Sequence, residues 1–218
     1  MRNWWKAVAI ILLLYILVGG FLIEVPKQVI LYESIRNLYF HVPMWFSMIV
    51  LFLFSTIYSI KNLSSGKIAD DTKAVELVNT GIVFGILGTI TGSIWAKYTW
   101  GAWWTNDVKL NGSAITMLIY LAYMVLRGSM DDEQKRARIS AVYNIFAFVL
   151  LIVFIGILPR MTDSLHPGNG GNPGFNNYDL DNNMKMVFYP AVIGWILLGF
   201  WIASIRIRLS NLRQQLMN

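Results

Sequence analysis

The amino-acid sequence predicts an all-α integral membrane protein with six transmembrane helices. Apolar residues make up 56% of the chain and charged residues only 14%, whereas a soluble domain carries about 25% charged residues. The apolar residues form long continuous runs without the two-residue alternation of a membrane β-barrel strand. Too few charges remain to cover a soluble surface, so we expect residues 1–218 to form a single transmembrane domain.

The first three predicted helices are defined by apolar runs of the length that spans a bilayer, about 20 residues. The first run follows Arg2 and Lys6, and we interpret it as an uncleaved helix because no small-residue cleavage motif follows it. The second carries no charge and begins at Pro43, whose missing N–H suits a first helical turn. The third carries a stripe of small residues that allows close approach of a neighbouring helix. This stripe is Gly81, Gly85, Gly88 and Gly92.

The last three predicted helices are less uniform in length. The fourth apolar run is the shortest, and it borrows residues 110–112 to reach a spanning length. The sixth follows a glycine-rich stretch, His166 to Gly174, which we interpret as a flexible loop. The six predicted helices cover residues 4–23, 43–60, 77–95, 110–126, 139–158 and 186–205.

The distribution of Lys and Arg predicts the orientation, because cytoplasmic loops carry an excess of both. Twelve lie on the side of the N-terminus: Arg2, Lys6, Lys61, Lys67, Lys73, Arg127, Lys135, Arg136, Arg138, Arg206, Arg208 and Arg213. Six lie on the opposite side: Lys27, Arg36, Lys97, Lys109, Arg160 and Lys185. We therefore expect a multi-pass protein of the inner (cytoplasmic) membrane with both termini in the cytoplasm. No dense basic patch accompanies the net charge of +6, so no nucleic-acid partner is expected.

Both histidines of the chain, His41 and His166, fall on the outer side of this topology. We expect His41 at the N-terminus of the second helix, where the helix dipole disfavours a charged imidazole. A neutral imidazole can bind a metal. Two histidines do not complete a zinc site, but they suit a haem iron, to which the porphyrin supplies the other four nitrogens. The alternative is that each histidine only forms structural or interfacial hydrogen bonds.

A cluster of tryptophans follows the third predicted helix. Trp100, Trp103, Trp104 and Asp107 are spaced at i, i+3, i+4 and i+7. This spacing predicts one face of a short helix lying along the membrane surface. Three indoles on one face would offer a flat apolar platform on which a macrocycle can stack. The alternative is an ordinary interfacial aromatic belt.

Two outer basic residues are candidates to bind carboxylates of such a macrocycle. Arg36 lies five residues before His41, and Lys109 lies two residues after Asp107. Either can meet a haem propionate at the membrane edge. The alternative for each is an anchor that reaches the lipid headgroups.

The segment Trp100-Gly-Ala-Trp-Trp-Thr-Asn-Asp107 resembles the tryptophan-rich WWD signature of the haem-handling proteins of cytochrome c biogenesis. Thr91–Trp95 and Tyr39–Pro43 are similar to the flanking motifs of that family. The resemblance covers nearly the whole chain and is closest to the CcmC family of the cytochrome c maturation system. Two features depart from the family pattern. Asn106 stands where a third tryptophan is usual, and no aromatic residue directly precedes His166.

The resemblance implies the cofactor, the partners and the site residues. It implies haem b as the ligand, bound transiently at the outer face of the lipid bilayer, with His41 and His166 as axial ligands. The residues implied to form the platform and its basic positions are Trp100, Trp103, Trp104, Asp107, Arg36 and Lys109. The family presents haem to a membrane-anchored haem chaperone and works with ATP-binding-cassette transporter subunits. It transfers haem and is not expected to catalyse a reaction by itself.

Two other classes of function fit the sequence less well than haem transfer does. A bis-histidine membrane cytochrome that exchanges electrons with quinone usually holds its ligands inside helices, and no predicted helix contains a histidine. A small-molecule permease places coupling groups within the membrane, whereas the predicted helix interiors carry almost no ionisable residues. Glu76 lies at an inner helix end, and we interpret it as a solvated flank.

The topology can be tested with single cysteines, because the chain has none of its own. We expect an impermeant thiol reagent to label Asn172→Cys in intact cells and to leave Ser65→Cys unlabelled. Labelling after cell lysis is the control that both cysteines can react. Labelling of Ser65→Cys alone in intact cells would reverse the predicted orientation.

Overall fold

The computed structural model describes residues 3–27, 29–166 and 180–217, and these contain helices but no strand. Helix α1 covers Trp4–Leu22, and a 3₁₀ turn, Tyr32–Asn37, leads into α2, Leu38–Ser65. Helices α3 and α4 cover Ile68–Trp100 and Val108–Gly128. Helix α5, Glu133–Leu151, continues through a π-helical turn, Ile152–Ile157, into α6, Leu158–Met161. Helix α7 covers Asn182–Met217. Arg2 lies outside the described residues, and so do residues 167–174 of the predicted glycine-rich loop.

The predicted fold class is confirmed, since the described residues include six helices long and apolar enough to cross a membrane. One of these spans, Glu133–Met161, comprises α5, the π-helical turn and α6. Most helices are longer than predicted, because the polar turns at their ends remain helical although only their centres are apolar. α3, for example, covers residues 68–100 instead of 77–95.

The predicted start of the second helix at Pro43 is wrong. α2 begins at Leu38 as a continuation of the 3₁₀ turn, so Pro43 lies inside the helix. Proline is tolerated within transmembrane helices because neighbouring groups satisfy the backbone that it leaves unpaired. His41, the fourth residue of α2, nevertheless lies in the first turn of the helix, close to the expected placement at a helix N-terminus.

The glycine stripe of α3 is the surface on which α2 packs. At each of its four glycines, an added Cβ atom would lie less than 3.0 Å from a side chain of α2. From Gly81 to Gly92, the α2 residues that fill these positions are Phe52, Met48, Trp45 and His41. We name the Trp100 end of α3 the outer end, after the predicted topology. Each step towards this end is matched by an equal step back along α2. The glycines thus set the register of an antiparallel helix pair with His41 at its outer end.

Helix α2 is central to the bundle, since it packs against α3, α5 and α7. Buried polar contacts reinforce this arrangement towards the inner end. Asn144 of α5 donates to Ser55 Oγ and Ser59 Oγ of α2 at 2.7 and 2.9 Å. Arg127 of α4 donates to both carboxylate oxygens of Asp71 on α3, with Nη1 to Oδ1 at 2.8 Å. Such pairs satisfy groups that would be costly to bury alone.

Glu76 is not the solvated flank that the sequence suggested. Its Oε2 accepts from Arg206 Nε of α7 at 2.8 Å and from Asn79 Nδ2 at 3.2 Å. The carboxylate is mostly buried. Glu76 therefore links α3 to α7 near their inner ends.

The π-helical turn brings the fifth span close to the start of α4. An added Cβ at Gly112 of α4 would lie 2.5 Å from the Phe154 carbonyl oxygen of this turn. Because that atom belongs to the backbone, it cannot move aside as a side chain does. Gly112 thus allows α4 and the fifth span to meet just before the chain reaches Ser164–His166.

The register of α2 and α3 can be tested by adding one methyl group. We expect Gly81→Ala to lower the free energy of unfolding by roughly 1–3 kcal/mol, as overpacking typically does, because the new Cβ would overlap the Phe52 ring. The measurement is denaturant unfolding in detergent. Gly128→Ala is the matched control, since no atom lies within 4 Å of its added Cβ. Equal stabilities of the two variants would contradict the proposed close packing.

Candidate functional site

His41 projects from α2 onto the outer end of the glycine stripe, over Gly92. Its Nδ1 lies 2.9 Å from the Gly88 carbonyl oxygen and 3.2 Å from Thr91 Oγ1. A carbonyl oxygen can only accept a hydrogen bond, so Nδ1 carries the proton. Nε2 of His41 therefore keeps its lone pair and is the nitrogen that can bind a metal.

Two tryptophans lie edge-on to the His41 ring. The ring centroids are 6.5 Å from Trp45 and 6.0 Å from Trp95. Trp95 is held in turn by a hydrogen bond from its Nε1 to Ser34 Oγ at 3.2 Å. The surroundings of His41 are therefore aromatic and positioned by α2, α3 and the 3₁₀ turn. Trp45 was not among the predicted site residues, although its spacing of four from His41 places it on the same face of α2.

The predicted surface helix over Trp100–Asp107 is wrong, because this segment is a loop between two helices. α3 ends at Trp100, and Gly101 follows with φ +77°, the left-handed conformation common after a helix C-terminus. The loop folds back on α3 through two bonds. Ser93 Oγ donates to the Trp103 carbonyl at 2.7 Å, and Lys97 Nζ donates to the Gly101 carbonyl at 2.9 Å.

The three predicted tryptophans of this loop have different surroundings. Trp100 packs edge-on against His166, with ring centroids 5.0 Å apart. Trp103 and Trp104 are 58% and 41% exposed at the outer edge. The indoles of Trp103 and Trp104 are therefore accessible to a binding partner, whereas Trp100 lies against the candidate ligand His166.

Asn106, which replaces the usual third tryptophan, supports Trp104 through a second asparagine. Trp104 Nε1 donates to Asn111 Oδ1 at 3.2 Å, and Asn111 Nδ2 donates to Asn106 Oδ1 at 2.8 Å. This pair of bonds crosses from the loop to the first turn of α4. At the position where the resemblance leads us to expect an indole, a polar contact thus orients Trp104.

The prediction that Asp107 shares one helix face with the tryptophans is wrong. Asp107 is instead a buried hub that joins three segments. It is the N-cap of α4, with Oδ1 accepting from the Lys109 and Leu110 amides at 2.9 and 3.2 Å. Its Oδ2 accepts from Ser164 Oγ at 2.8 Å and from the Leu165 amide at 2.7 Å. His166 Nδ1 lies 3.0 Å from Oδ1.

The charge state of Asp107 follows from these contacts. Burial by itself would raise the pKa of the carboxyl group. The hydrogen bonds from His166, Leu165 and Ser164 outweigh burial and hold the pKa of Asp107 well below its usual range. Asp107 is therefore an anion, and a carboxylate can only accept, so His166 Nδ1 carries a proton. In the neutral form of the ring, Nε2 keeps its lone pair.

Arg36 is bound to the end of α1 in the structure. Its Nη1 donates to the Gly20 and Ile23 carbonyls at 3.0 and 2.7 Å, and its Nε donates to Glu33 at 2.6 Å. A basic side chain in this position satisfies carbonyls that a helix C-terminus leaves unpaired. The predicted contact of Arg36 with a propionate gains no support from this geometry, which gives the residue a structural role.

His166 and Lys109 both lie close enough to His41 to interact with it electrostatically. Helices α2 and α4 and the segment after α6 thus bring both histidines and Lys109 to one end of the bundle. Within the described ranges, no group of three or more His, Asp or Glu side chains could hold a metal ion by itself. Two imidazoles with free Nε2 atoms fit a haem, whose porphyrin supplies the remaining ligands.

The described fold and site define a multi-pass helical membrane protein with a two-histidine site beside a tryptophan loop at one end of the bundle. The sequence profile of the CcmC family, "Heme exporter protein C", matches residues 1–218. The chain therefore belongs to this family, which confirms the resemblance drawn from the tryptophan segment.

Individual relatives agree with the family assignment. The chain is 24% identical over 189 residues to Heme exporter protein C of Haemophilus influenzae, covering 84% of this chain and 73% of that protein. It is 26% identical over 186 residues to Heme exporter protein C of Bradyrhizobium diazoefficiens, covering 84% and 67%. A shorter stretch of 87 residues is 38% identical to cytochrome c biogenesis protein CcsA of Prochlorococcus marinus subsp. pastoris, covering 40% and 27%.

The structural role of Arg36 can be tested by removing its charge. We expect Arg36→Gln to lower the free energy of unfolding by about 1–3 kcal/mol, the usual cost of leaving buried acceptors unpaired. The measurement is thermal or denaturant unfolding in detergent without haem. Lys27→Gln, which removes an exposed outer cation, is the control and should be neutral. A fully stable Arg36→Gln variant would leave the propionate interpretation as the better one.

Proposed function

We propose that this protein binds haem b at the outer face of the cytoplasmic membrane and presents it to a membrane-anchored haem chaperone for cytochrome c maturation. Membership of the heme exporter protein C family supports a role in haem handling for cytochrome c biogenesis. The similarity to CcsA supports the same process. The axial ligands proposed are His41 and His166.

The observation that best supports this proposal is that both imidazoles are held through the same ring nitrogen, Nδ1. Each uses Nδ1 to donate a hydrogen bond, to the Gly88 carbonyl for His41 and to Asp107 for His166. Histidines that bind metals are typically held in this way, because the partner of one ring nitrogen fixes the orientation of the other. When bound, haem supplies the four equatorial nitrogen ligands. The protein contributes two free Nε2 atoms.

The remaining site residues have separate proposed tasks. Trp100 lies against His166 and lines the site, while Trp103 and Trp104 offer exposed indoles to the ring face or to the chaperone. Lys109, on the first turn of α4, is the proposed partner of a propionate. Both carboxylate oxygens of Asp107, two residues earlier, already accept hydrogen bonds, from five donors in all, so Asp107 is not proposed to contact the macrocycle.

Transfer requires that haem also leave. The chain contains no cysteine, so it cannot hold the macrocycle through a thioether bond, and coordination by imidazole is reversible. The protein is accordingly proposed to act by binding and transfer and not as an enzyme. ATP-binding-cassette subunits of the same system are its proposed partners in the bilayer, and both termini are proposed to be cytoplasmic.

A bis-histidine cytochrome that exchanges electrons with quinone is the second candidate. One observation favours it, since His41 lies within helix α2 and not in a loop. His166, in contrast, follows α6 in a non-helical segment at the bundle end. Because such cytochromes usually hold both ligands inside helices, the position of His166 favours haem transfer over this second candidate.

The roles of ligand and platform can be separated with two variants. We expect His41→Ala to change the six-coordinate absorption spectrum of the haem-loaded protein, because an axial ligand is lost. Trp103→Ala should keep the spectrum and lower haem occupancy, because one indole contributes about 0.5–1.5 kcal/mol of stacking. The measurements are absorption spectra and haem-to-protein ratios after purification.

Transfer to purified apo-chaperone distinguishes the two candidate functions. Haem that moves to the chaperone supports transfer, whereas haem that stays bound and cycles with a quinol supports electron exchange. His41→Gln is a second ligand variant with a smaller loss of volume. An unchanged haem spectrum in both His41 variants would remove His41 as an axial ligand.

A further inference from the structure

The two proposed axial histidines are held by chemically different groups. His41 donates to a neutral backbone carbonyl, that of Gly88. His166 donates to the carboxylate of Asp107 at 3.0 Å. A hydrogen bond to a carboxylate is stronger than one to a neutral carbonyl and raises the electron density on the ring. The two imidazoles are therefore not equivalent ligands.

The carboxylate of Asp107 is fixed by groups of the protein itself. Its side chain is 1% exposed, and it accepts from two amides of α4, from Ser164 Oγ and from the Leu165 amide, as well as from His166. Ser164 and Leu165 directly precede His166, so the same carboxylate holds both the ring and the backbone that carries it. A residue needed only as the N-cap of α4 would make only the bonds to Lys109 and Leu110.

We propose that Asp107 is a positioning residue for His166, which fixes its ring and makes it the stronger donor of the two axial ligands. This inference rests on the proposed haem-binding function. Carboxylate backing increases the basicity of a metal-bound imidazole, and a more strongly donating ligand favours ferric over ferrous iron. His41, without such backing, is the weaker ligand and the one more readily exchanged.

Asp107→Asn tests this role, because asparagine caps a helix as well as aspartate does. The substitution removes the negative charge and turns one acceptor into a donor. We expect haem affinity to fall roughly 10–100-fold, as for other groups that orient metal ligands. We also expect the haem reduction potential to rise and part of the haem to lose its six-coordinate spectrum. Haem titration of the purified apo-protein and redox titration of the loaded protein measure these changes.

Asp132→Asn is the matched control. Asp132 caps α5 at the opposite end of the bundle, where its Oδ1 accepts from the Lys135 amide at 2.6 Å. This variant should retain the affinity and the reduction potential of the wild type. If Asp107→Asn behaves like Asp132→Asn, the proposal is overturned and Asp107 is only a cap.

A double-mutant cycle separates positioning from general support of the fold. In a His166→Ala background, Asp107→Asn should cause no further loss of affinity, because the ring on which it acts is gone. A further loss of the same size as in the wild type would overturn the proposal. If His166→Ala itself changes nothing, the axial assignment of His166 fails, and the inference falls with it.

Ser164→Ala is a second variant in case Asp107→Asn does not fold. It removes one of the bonds to Oδ2 and keeps the charge of Asp107. We expect a smaller loss of haem affinity, dependent on His166, with an unchanged reduction potential. Wild-type affinity in this variant, or a loss that persists without His166, would count against the proposal.

Discussion

The structure depends on the close approach of α2 and α3, which four glycines on one face of α3 make possible. Lipid offers transmembrane helices no hydrophobic gain on association, so contact relies on packing. Phe52, Met48, Trp45 and His41 fill the space that a Cβ would otherwise occupy. The proposed ligand His41 is the outermost of these contacts. Its position is therefore set by the packing of the helix pair, and the same glycine face supplies the carbonyl that orients its ring.

The second proposed ligand is placed by a different principle. Asp107 joins the tryptophan loop, the start of α4 and the segment before His166 through five hydrogen bonds. Burying a carboxylate is unfavourable unless its charge is compensated, and these donors provide that compensation. One histidine is thus positioned by apolar packing and the other by a polar hub. Both proposed ligands lie at one end of the bundle, where Gly112 lets the fifth span approach α4.

Sequence reasoning located the six spans, since hydropathy depends on local composition, and it placed both histidines at the same end of the bundle. It failed where turns outside the predicted apolar run stay helical, as at the starts of α2 and α3, and where a tertiary contact defines a role. Ser164, Leu165 and His166, which bind Asp107, lie more than 50 residues away from it. Arg36 acts on a helix that ended earlier in the chain. The prediction of a surface helix over Trp100–Asp107 failed for a different reason. Gly101 and Asp107 are typical residues for a helix end and a helix start, but the regular spacing of the tryptophans favoured a continuous helix.

The short connection between α2 and α3 has a consequence for how this protein can change in evolution. Only Gly66 and Lys67 separate the two helices, and Gly66 adopts φ +67° to turn the chain. An inserted or deleted residue in either helix would rotate everything beyond it by about 100°. Gly92 would then no longer face His41, because all contacts between the change and the outer end would be rotated out of register. The hairpin therefore fixes the number of residues between His41 and Gly92.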